Sequence, residues 1–249
     1  MTSPLAAAAA RVHVLDYHPT HLNYSLSREA AFDPAHPVEP GGDTAPAVGV
    51  HQVLSIRPGG GVLLWHEVPL SAWTGTRAEF AAQPEQVRRQ ALSAGPCARG
   101  GRWGTHLGAT MAVVTSDGRT VLRSRRGKYA EADRYDSLVA GTMLVEHLTV
   151  TTDQYLWALA AQAGIDREHV EVFAPTHLAM RTADFGLWIG GWVRVDLTAQ
   201  QVAAAAPFET VTFELGQDPD VPMTDWGAFD LAAAREHAAD VCALPVPTA

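Results

Sequence analysis

The segment TMAVVTSDGRTVLRSRR (110–126) constrains the fold of this chain more than any other part of the sequence. Apolar residues recur on both sides of Asp117-Gly118, a pair that readily adopts the positive φ of a tight turn. We therefore predict an antiparallel hairpin here. A second hairpin is predicted from VGVHQVLSIR (48–57) and GVLLWHEV (61–68), because these β-rich runs flank Pro58-Gly59-Gly60.

Helices and strands alternate along the second half of the chain. Thr151 and Gln154 have the spacing of a capping box, and Gly164 suits the position after a helix end, so a helix is predicted over 151–163. Further strands are predicted at 169–173, 186–197 and 209–215, and short helices at 198–205 and 226–240. This mixture of elements indicates the α/β class.

Composition excludes several classes of protein. The formal net charge of −9 disfavours nucleic acid as a partner, since a phosphate backbone needs a dense Lys/Arg surface. No apolar run approaches the roughly 18 residues of a membrane span. The N-terminus lacks the features of a signal peptide, and two cysteines, Cys97 and Cys242, make no disulfide framework. We expect a soluble cytoplasmic protein with no membrane partner.

From Thr110 onward the order of elements resembles the Nudix hydrolase superfamily. The resemblance rests on MAVVTSDGRTVLRSRRG (111–127), LVAGTM (138–143) and a helix that closes at Ala163-Gly164-Ile165. It implies a Nudix-like α/β/α sandwich with a mixed sheet over residues 106–249. An N-terminal extension with a β-hairpin and short helices would occupy 1–105, although the two parts could form one compact unit.

The same resemblance implies that the metal site has been lost. The Nudix box carries glutamates that hold divalent cations, and aligning its last glycine with Gly164 places Trp157 at the box arginine and Thr149 at the first glutamate. The other carboxylate positions are occupied by Ala158, Ala161 and Gln162. Because a hard cation needs several oxygen ligands, we expect no metal and no cofactor.

Two alternatives to this interpretation stay open. The segment 151–164 could be an alanine-rich helix of another α/β fold. A divergent hydrolase could instead hold its metal with Glu146, Asp153 or Asp136. The histidines His13, His18 and His21 match no familiar zinc spacing, so we interpret them as loop or ligand-contact residues.

The N-terminal hairpin carries the densest set of reactive side chains. Glu67 lies among apolar neighbours, and desolvation there would raise the pKa of its carboxyl toward the range of a general acid or base. The predicted ligand contacts beside it are Arg57, His51, His66 and Trp65. A turn over 58–60 would place Arg57 opposite Gly61 and residue 51 opposite 67, whereas a longer turn would bring Arg57 opposite His66. The competing interpretation is a solvated Glu–Arg pair at a strand end.

Three more residues are predicted to contact a ligand. Arg123 and Arg125 belong to a local basic stretch and could hold a phosphate or carboxylate by paired hydrogen bonds. Trp188 lies between Gly186 and Gly190, where a planar ligand could approach the backbone. The alternatives are a solvated strand edge for the arginines and core packing for the tryptophan.

SIRPGGGVLLWHEV (55–68) resembles the bacterial β-carboline synthases of the McbB type, which are homodimeric Pictet–Spengler enzymes of specialised metabolism. The resemblance implies Glu67 as the catalytic residue, Arg57 as a contact to a substrate anion, and a homodimer. The substrates would be a tryptophan-like aromatic amine and a small phosphorylated or carboxylated aldehyde. The alternatives are a non-catalytic ligand-binding or regulatory protein on an inactive Nudix fold, and a divergent Nudix hydrolase.

Overall fold

The computed structural model describes residues 10–28, 46–57, 59–69, 77–97, 105–126, 131–143 and 151–242. The strands are β1 (Val12–Tyr17), β2 (Asn23–Arg28), β3 (Pro46–Arg57), β4 (Gly60–Pro69), β5 (Thr105–Val114), β6 (Arg119–Ser124), β7 (Tyr135–Ser137), β8 (Val139–Thr142), β9 (Val170–Arg181), β10 (Leu187–Val195) and β11 (Thr210–Glu214). The α-helices are α1 (Glu85–Ala94), α2 (Thr152–Gln162), α3 (Ala199–Ala205) and α4 (Asp225–Cys242), and 3-10 helices cover Gly95–Cys97 and Arg167–His169.

The hairpin predicted at 110–126 is confirmed as β5 and β6. Val113 pairs with Val121 in antiparallel register, and Gly118 adopts a φ of 73° in the turn. The Thr115 hydroxyl donates a hydrogen bond of 2.6 Å to the Asp117 carboxylate, which fixes the turn from inside. A local signal in the sequence was therefore sufficient to locate this element.

The sheet is mixed, as predicted. Its main path runs β1-β9-β10-β5-β3-β4-β2, while β6 and β8 branch from β5. β10 pairs parallel to β5 and antiparallel to β9, and β2 pairs parallel to β4. β1 and β2 stand at opposite ends of this path, yet only residues 18–22 connect them along the chain.

Helices cover both faces of the sheet around β5. Leu107 and Met111 belong to the same buried cluster as Leu156 of α2, whereas Ala112 belongs to a second cluster with Ala234 of α4. Successive side chains of a strand point to opposite faces, so α2 and α4 lie on opposite sides of β5. The predicted α/β class and α/β/α layering are confirmed by this arrangement.

The N-terminal hairpin is also confirmed, but its predicted register is wrong. Arg57 lies opposite Gly60 instead of Gly61 or His66, and Glu67 lies opposite Val48. The register shifts twice along the hairpin, first between Val50 and Gln52 and again between Val53 and Ser55. Such irregularities insert residues into one strand, and no alternation pattern in the sequence reveals them.

Gly60 connects this hairpin to β2. A Cβ at Gly60 would overlap the backbone of Asn23, and its φ of 146° is one that other residues rarely adopt. The close approach lets Asn23 and Tyr24 begin the parallel pairing of β2 with β4. β1 pairs with β9 at the other end of the path. The division of the chain near residue 105 stays a prediction.

The helix predicted at 151–163 begins as expected. The Thr151 hydroxyl accepts a hydrogen bond from the Gln154 amide, and the Gln154 side chain accepts one of 3.2 Å from the Thr151 amide. Gly164 follows with a φ of 81°, close against the backbone of Ala205. Among the described residues, no helix combines the length and apolar character that a membrane crossing requires.

β9 extends further than predicted. The strand was predicted over 169–173, but β9 continues through Pro175 to Arg181. Gly191 lies opposite Pro175, and the register shifts between Gly190 and Gly191. A proline is tolerated where a bulge removes the need for its missing N–H. The extension brings His177 into the centre of the sheet.

Candidate functional site

Helix α2 covers the segment that aligns with the end of the Nudix box, but it carries none of the box glutamates. Its buried face consists of Tyr155, Leu156, Leu159 and Ala160. The positions that align with the box carboxylates, Ala158, Ala161 and Gln162, are exposed. In the part of the chain that the structure describes, no three His, Cys, Asp or Glu residues are grouped so that they could hold a metal ion.

An Asp–His pair lies at the first turn of α2. His21 Nε2 is 2.9 Å from Asp153 Oδ2, and the two side chains are 42% and 22% exposed. The His18 Nδ1 atom accepts a hydrogen bond of 3.2 Å from the His21 amide, which shapes the loop. Asn23 Oδ1 accepts a 3.3 Å hydrogen bond from the Asp153 amide. The loop between β1 and β2 and the start of α2 thus position the pair, which we call the α2 pair.

Desolvation acts on the carboxyl of the α2 pair. Burial raises the pKa of Asp153 above its usual value, and the nearby His21 opposes this shift. Asp153 Oδ1 is buried without a hydrogen-bond partner, so the carboxylate engages the imidazole through Oδ2. A carboxylate in this position orients an imidazole and stabilises its protonated form. The contact at Nε2 leaves His21 Nδ1 as the nitrogen that can exchange a proton with a ligand.

A row of aromatic rings continues from His21. The Phe173 ring centre lies 6.5 Å from that of His21, and Trp157 stacks on Phe173 at 4.1 Å with an interplanar angle of 11°. The Arg167 guanidinium lies 4.5 Å from the Trp157 ring centre. Trp157 follows Asp153 by four residues, which places both on one side of α2. An apolar aromatic surface therefore adjoins the proton-exchanging imidazole.

Arg123 of β6 and Tyr155 of α2 are both largely buried. Arg123 is 9% exposed, and its guanidinium lies 5.1 Å from the ring centre of Phe208. Burial lowers the pKa of Arg123 and raises the pKa of Tyr155, and the Arg123 charge opposes the latter shift. The Tyr155 hydroxyl is buried and has no hydrogen-bond partner.

Arg125, two residues further along, has a different environment. Its guanidinium donates a 2.7 Å hydrogen bond to Asp136 Oδ2, and Asp136 is 1% exposed. Asp136 Oδ1 accepts further hydrogen bonds from the Thr224 hydroxyl and the Ser137 amide, each 2.9 Å. Arg125 thus binds a carboxylate of its own chain. The same bonds occupy Asp136, one of the carboxylates considered for a divergent metal site.

A second Asp–His pair lies under α4. His177 Nε2 is 3.0 Å from Asp230 Oδ1, and both side chains are 0% exposed. The Ser137 hydroxyl donates a 3.0 Å hydrogen bond to Asp230 Oδ2. Burial raises the pKa of Asp230 to about 6, opposed mainly by the nearby His177, although the two contacting atoms are not aligned as a hydrogen bond. A Cβ at Gly190 would overlap both Asp230 Oδ1 and His177 Nε2, so the glycine makes room for what we call the α4 pair.

An ionic cluster surrounds Arg181 at the end of β9. Its Nε donates a 2.8 Å hydrogen bond to Asp184, and one terminal nitrogen donates a 3.0 Å bond to Glu131. The Arg181 guanidinium also lies 4.4 Å from the ring centre of Trp226. His106 is buried nearby, and desolvation, assisted by the charges of Arg77 and Arg181, lowers its pKa to about 3. These contacts engage Arg181 within the protein.

The hairpin residues predicted as the site are only partly described. Trp65 is 6% exposed, with the Arg28 guanidinium 5.7 Å from its ring centre, and Arg57 is exposed at the end of β3. The side chains of Glu67, His51 and His66 lie outside the described residues, so their assignments stay predictions. Their strands are in place: His66 lies opposite Gly49, and residue 51 falls within a register shift.

Trp188 lies in the interior. It is 1% exposed and packs edge-on against Trp226 at 5.1 Å. Gly186 approaches the Trp226 ring as well, while Gly190 accommodates the α4 pair. The glycines around Trp188 thus make room for other side chains of this protein. This agrees with the alternative that Trp188 packs in the core.

Neither Asp–His pair is predicted by the sequence. His21 and Asp153 lie 132 residues apart and each enters the sequence analysis only by itself, while His177 and Asp230 do not enter it. Gly190 was the one signal for the α4 pair, since a glycine inside a strand often marks a close approach. No sequence signal joins His21 to Asp153, because their contact depends on how β2 docks beside α2.

Comparisons with known proteins give a remote structural likeness but no family. No family model matches the sequence, and no curated protein matches it. Among solved structures, the chain is similar to a crystal structure of a Nudix hydrolase from M. smegmatis, RenU, at 16% identity. The match covers 58% of this chain and 89% of that one, with a TM-score of 0.32.

Proposed function

We propose that this chain is a metal-independent acid–base enzyme in which the α2 pair, His21 and Asp153, transfers the proton. The observation that carries the proposal is the 2.9 Å contact between a half-exposed imidazole and a more deeply placed carboxylate. His21 would take a proton from the substrate at Nδ1, and Asp153 would stabilise the resulting imidazolium. Asp153 stays ionised in this scheme and acts as a positioning residue.

For the reaction class we propose a Pictet–Spengler condensation, as the resemblance of residues 55–68 implies. The amine nitrogen of a tryptophan-like substrate attacks the carbonyl carbon of an aldehyde, and loss of water gives an iminium. The indole carbon then bonds to the iminium carbon, and a base removes the ring proton to restore aromaticity. The reacting amine is part of the substrate. The reaction therefore needs no lysine from the protein, in which Lys128 is the only one.

Two observations make the α2 pair suitable for the last step. The aromatic row of His21, Phe173 and Trp157 provides apolar surface beside the base. The raised pKa of Asp153 reflects a partly desolvated setting, in which electrostatic stabilisation of an imidazolium is stronger than in water. The proposal keeps Glu67 as the rival base and includes a homodimer.

The test is turnover without added metal. Tryptophan and a small carboxylated aldehyde would be incubated with the chain in EDTA, and the cyclised product detected by mass. We expect product from wild type and a decrease in kcat of about 10²-fold or more for His21→Ala and Asp153→Asn. His13→Ala serves as the control, since His13 also lies near the N-terminus but outside the α2 pair.

Three results would contradict the proposal in different ways. Loss of product only in Glu67→Gln moves the base to the hairpin. Binding of tryptophan by wild type without turnover identifies a non-catalytic ligand-binding protein. Magnesium-dependent release of phosphate from a nucleoside diphosphate derivative identifies a divergent hydrolase instead.

A further inference from the structure

We infer that Arg123 and Tyr155 form a binding site for a carboxylate monoanion. Arg123 lies in the protein interior with 9% of its surface exposed, and within the described ranges no carboxylate forms an ion pair with it. Buried charged side chains are normally paired. The guanidinium therefore has donors that a ligand oxygen could use.

Tyr155 adds a second donor at the same place. Its hydroxyl is enclosed by protein and makes no hydrogen bond, which is rare for a buried polar atom. The Tyr155 hydroxyl lies beside β8, because a Cβ at Gly141 would be 3.1 Å from it. Arg123 points to the same face of β6 as Val121, which shares a buried cluster with Tyr155, and the Arg123 charge opposes the rise of the Tyr155 pKa. The phenol and the guanidinium thus lie on the same face of the sheet, on the side of α2.

Asp136 acts on Arg123 without forming an ion pair with it. It lies on the neighbouring strand, directly opposite Arg123 in the register, and its charge opposes the lowering of the Arg123 pKa, but its oxygens bind Arg125, Thr224 and the Ser137 amide. Phe208 offers the cation the face of its ring but no oxygen acceptor. Among the described residues, Arg123 and Arg125 thus share one carboxylate, and the group keeps one positive charge in excess.

Charge and geometry select the class of ligand. One positive charge in excess, left by two arginines and one aspartate, matches a monoanion better than a dianion. A guanidinium offers two parallel N–H donors to the two oxygens of a planar carboxylate, and the phenol can donate to one of them. The anion site stands whether or not His21 and Asp153 catalyse a reaction.

Acetate is the probe, measured on the full chain at constant ionic strength against chloride. We expect a saturable rise of the wild-type unfolding temperature with acetate, because a ligand that binds the folded state stabilises it. The rise should vanish in Arg123→Met and persist in Arg126→Met, whose arginine is 86% exposed three residues along the chain. In acetate-free buffer Arg123→Met should unfold at or above the wild-type temperature, since it removes an unpaired buried charge.

Tyr155→Phe provides a second, milder variant, because the hydroxyl it removes has no partner. With [¹³Cζ]tyrosine labelling, the resonance absent from Tyr155→Phe should shift with acetate in wild type. Acetate should bind this variant about tenfold more weakly, equivalent to one lost hydrogen bond. An equal acetate effect in Arg123→Met, or no saturable shift of the Tyr155 resonance, overturns the inference. Tighter binding of inorganic phosphate that also depends on Arg123 replaces the carboxylate assignment by a phosphoryl one.

Discussion

The two Asp–His pairs have nearly the same contact distance and opposite surroundings. In the α2 pair the atoms are 2.9 Å apart and the imidazole is 42% exposed, whereas in the α4 pair they are 3.0 Å apart and both side chains are 0% exposed. A substrate can reach only the first. If the α2 pair is reactive as proposed, access to solvent, more than the distance between the groups, separates it from the enclosed pair.

The two pairs also differ in the elements that they connect. The α4 pair and Ser137 link β9, α4 and β7 through the interior. The α2 pair instead joins the loop after β1 to the first turn of α2. We therefore expect substitutions in the α4 pair to change stability and substitutions in the α2 pair to change turnover.

The largest expected effect comes from matched substitutions of the two histidines. His21→Gln should lower kcat about 100-fold or more, because glutamine cannot accept and release the proton. His177→Gln should leave kcat unchanged in the folded protein but lower the free energy of unfolding by about 1–3 kcal/mol, because Asp230 loses its partner. Steady-state kinetics and urea unfolding of both variants test this. The reverse assignment of the two effects would place the active centre under α4.

The next effect concerns pH and the α4 pair. The pKa of Asp230 is raised to about 6, so the folded state holds this proton more tightly than the unfolded state. The resulting stabilisation is fully present below the ordinary carboxyl pKa of 3.8 and is lost as pH rises through about 6. It amounts to at most about 3 kcal/mol. Asp230→Asn should remove this dependence from urea unfolding measured at several pH values.

His106 titrates with the opposite sign and must be separated from Asp230. Its pKa is lowered to about 3, so its stabilising effect is present above pH 6.5 and is lost as pH falls toward 3. The free energy of unfolding of wild type minus that of Asp230→Asn, taken at each pH, cancels the contribution of His106, provided that the two groups act independently. If this difference did not change between pH 4 and 7, the raised pKa of Asp230 would be contradicted.

A smaller effect is expected from filling the space that the α4 pair uses. Gly190→Ala should lower the free energy of unfolding by about 1–3 kcal/mol, because the added methyl group overlaps His177 and Asp230. Gly216→Ala is the control, since a Cβ there meets nothing within 4 Å, and it should change stability by less than about 0.5 kcal/mol. Equal unfolding midpoints for the two variants would show that the α4 pair moves apart without cost.

The smallest effect is expected from removing the N-cap beside the α2 pair. Thr151→Ala removes the N-cap of α2 and should cost about 1 kcal/mol of stability. It should also lower kcat, because the first turn of α2 positions Asp153. Thr198→Ala removes the same kind of cap from α3 and should cost a similar amount without changing kcat. Equal kcat values for Thr151→Ala and Thr198→Ala would contradict a role of Asp153 in catalysis.

Local patterns in the sequence predicted local structure well. Asp117-Gly118 located the β5–β6 turn, and Thr151 with Gln154 located the start of α2, because each signal acts through bonds between near neighbours. The predicted register of β3 with β4 was wrong, since no alternation of residue types reveals its two shifts. Arg123 was predicted as an anion contact from its basic neighbours, and the inferred anion site adds the orphaned hydroxyl of Tyr155, which no spacing rule could supply.

The short link between β1 and β2 has a mechanical consequence. Residues 18–22 connect strands at opposite ends of the sheet path, and an extended link of this length spans roughly 20 Å. A flat sheet would separate β1 from β2 by six strand spacings, or about 29 Å. The sheet must therefore curve to bring its two edge strands within reach of the link, and His21 lies on this link. Inserting a few glycines into this link would relax the curvature of the sheet and move the His21 imidazole away from Asp153. One short segment of chain therefore sets both the shape of the sheet and the alignment of the α2 pair.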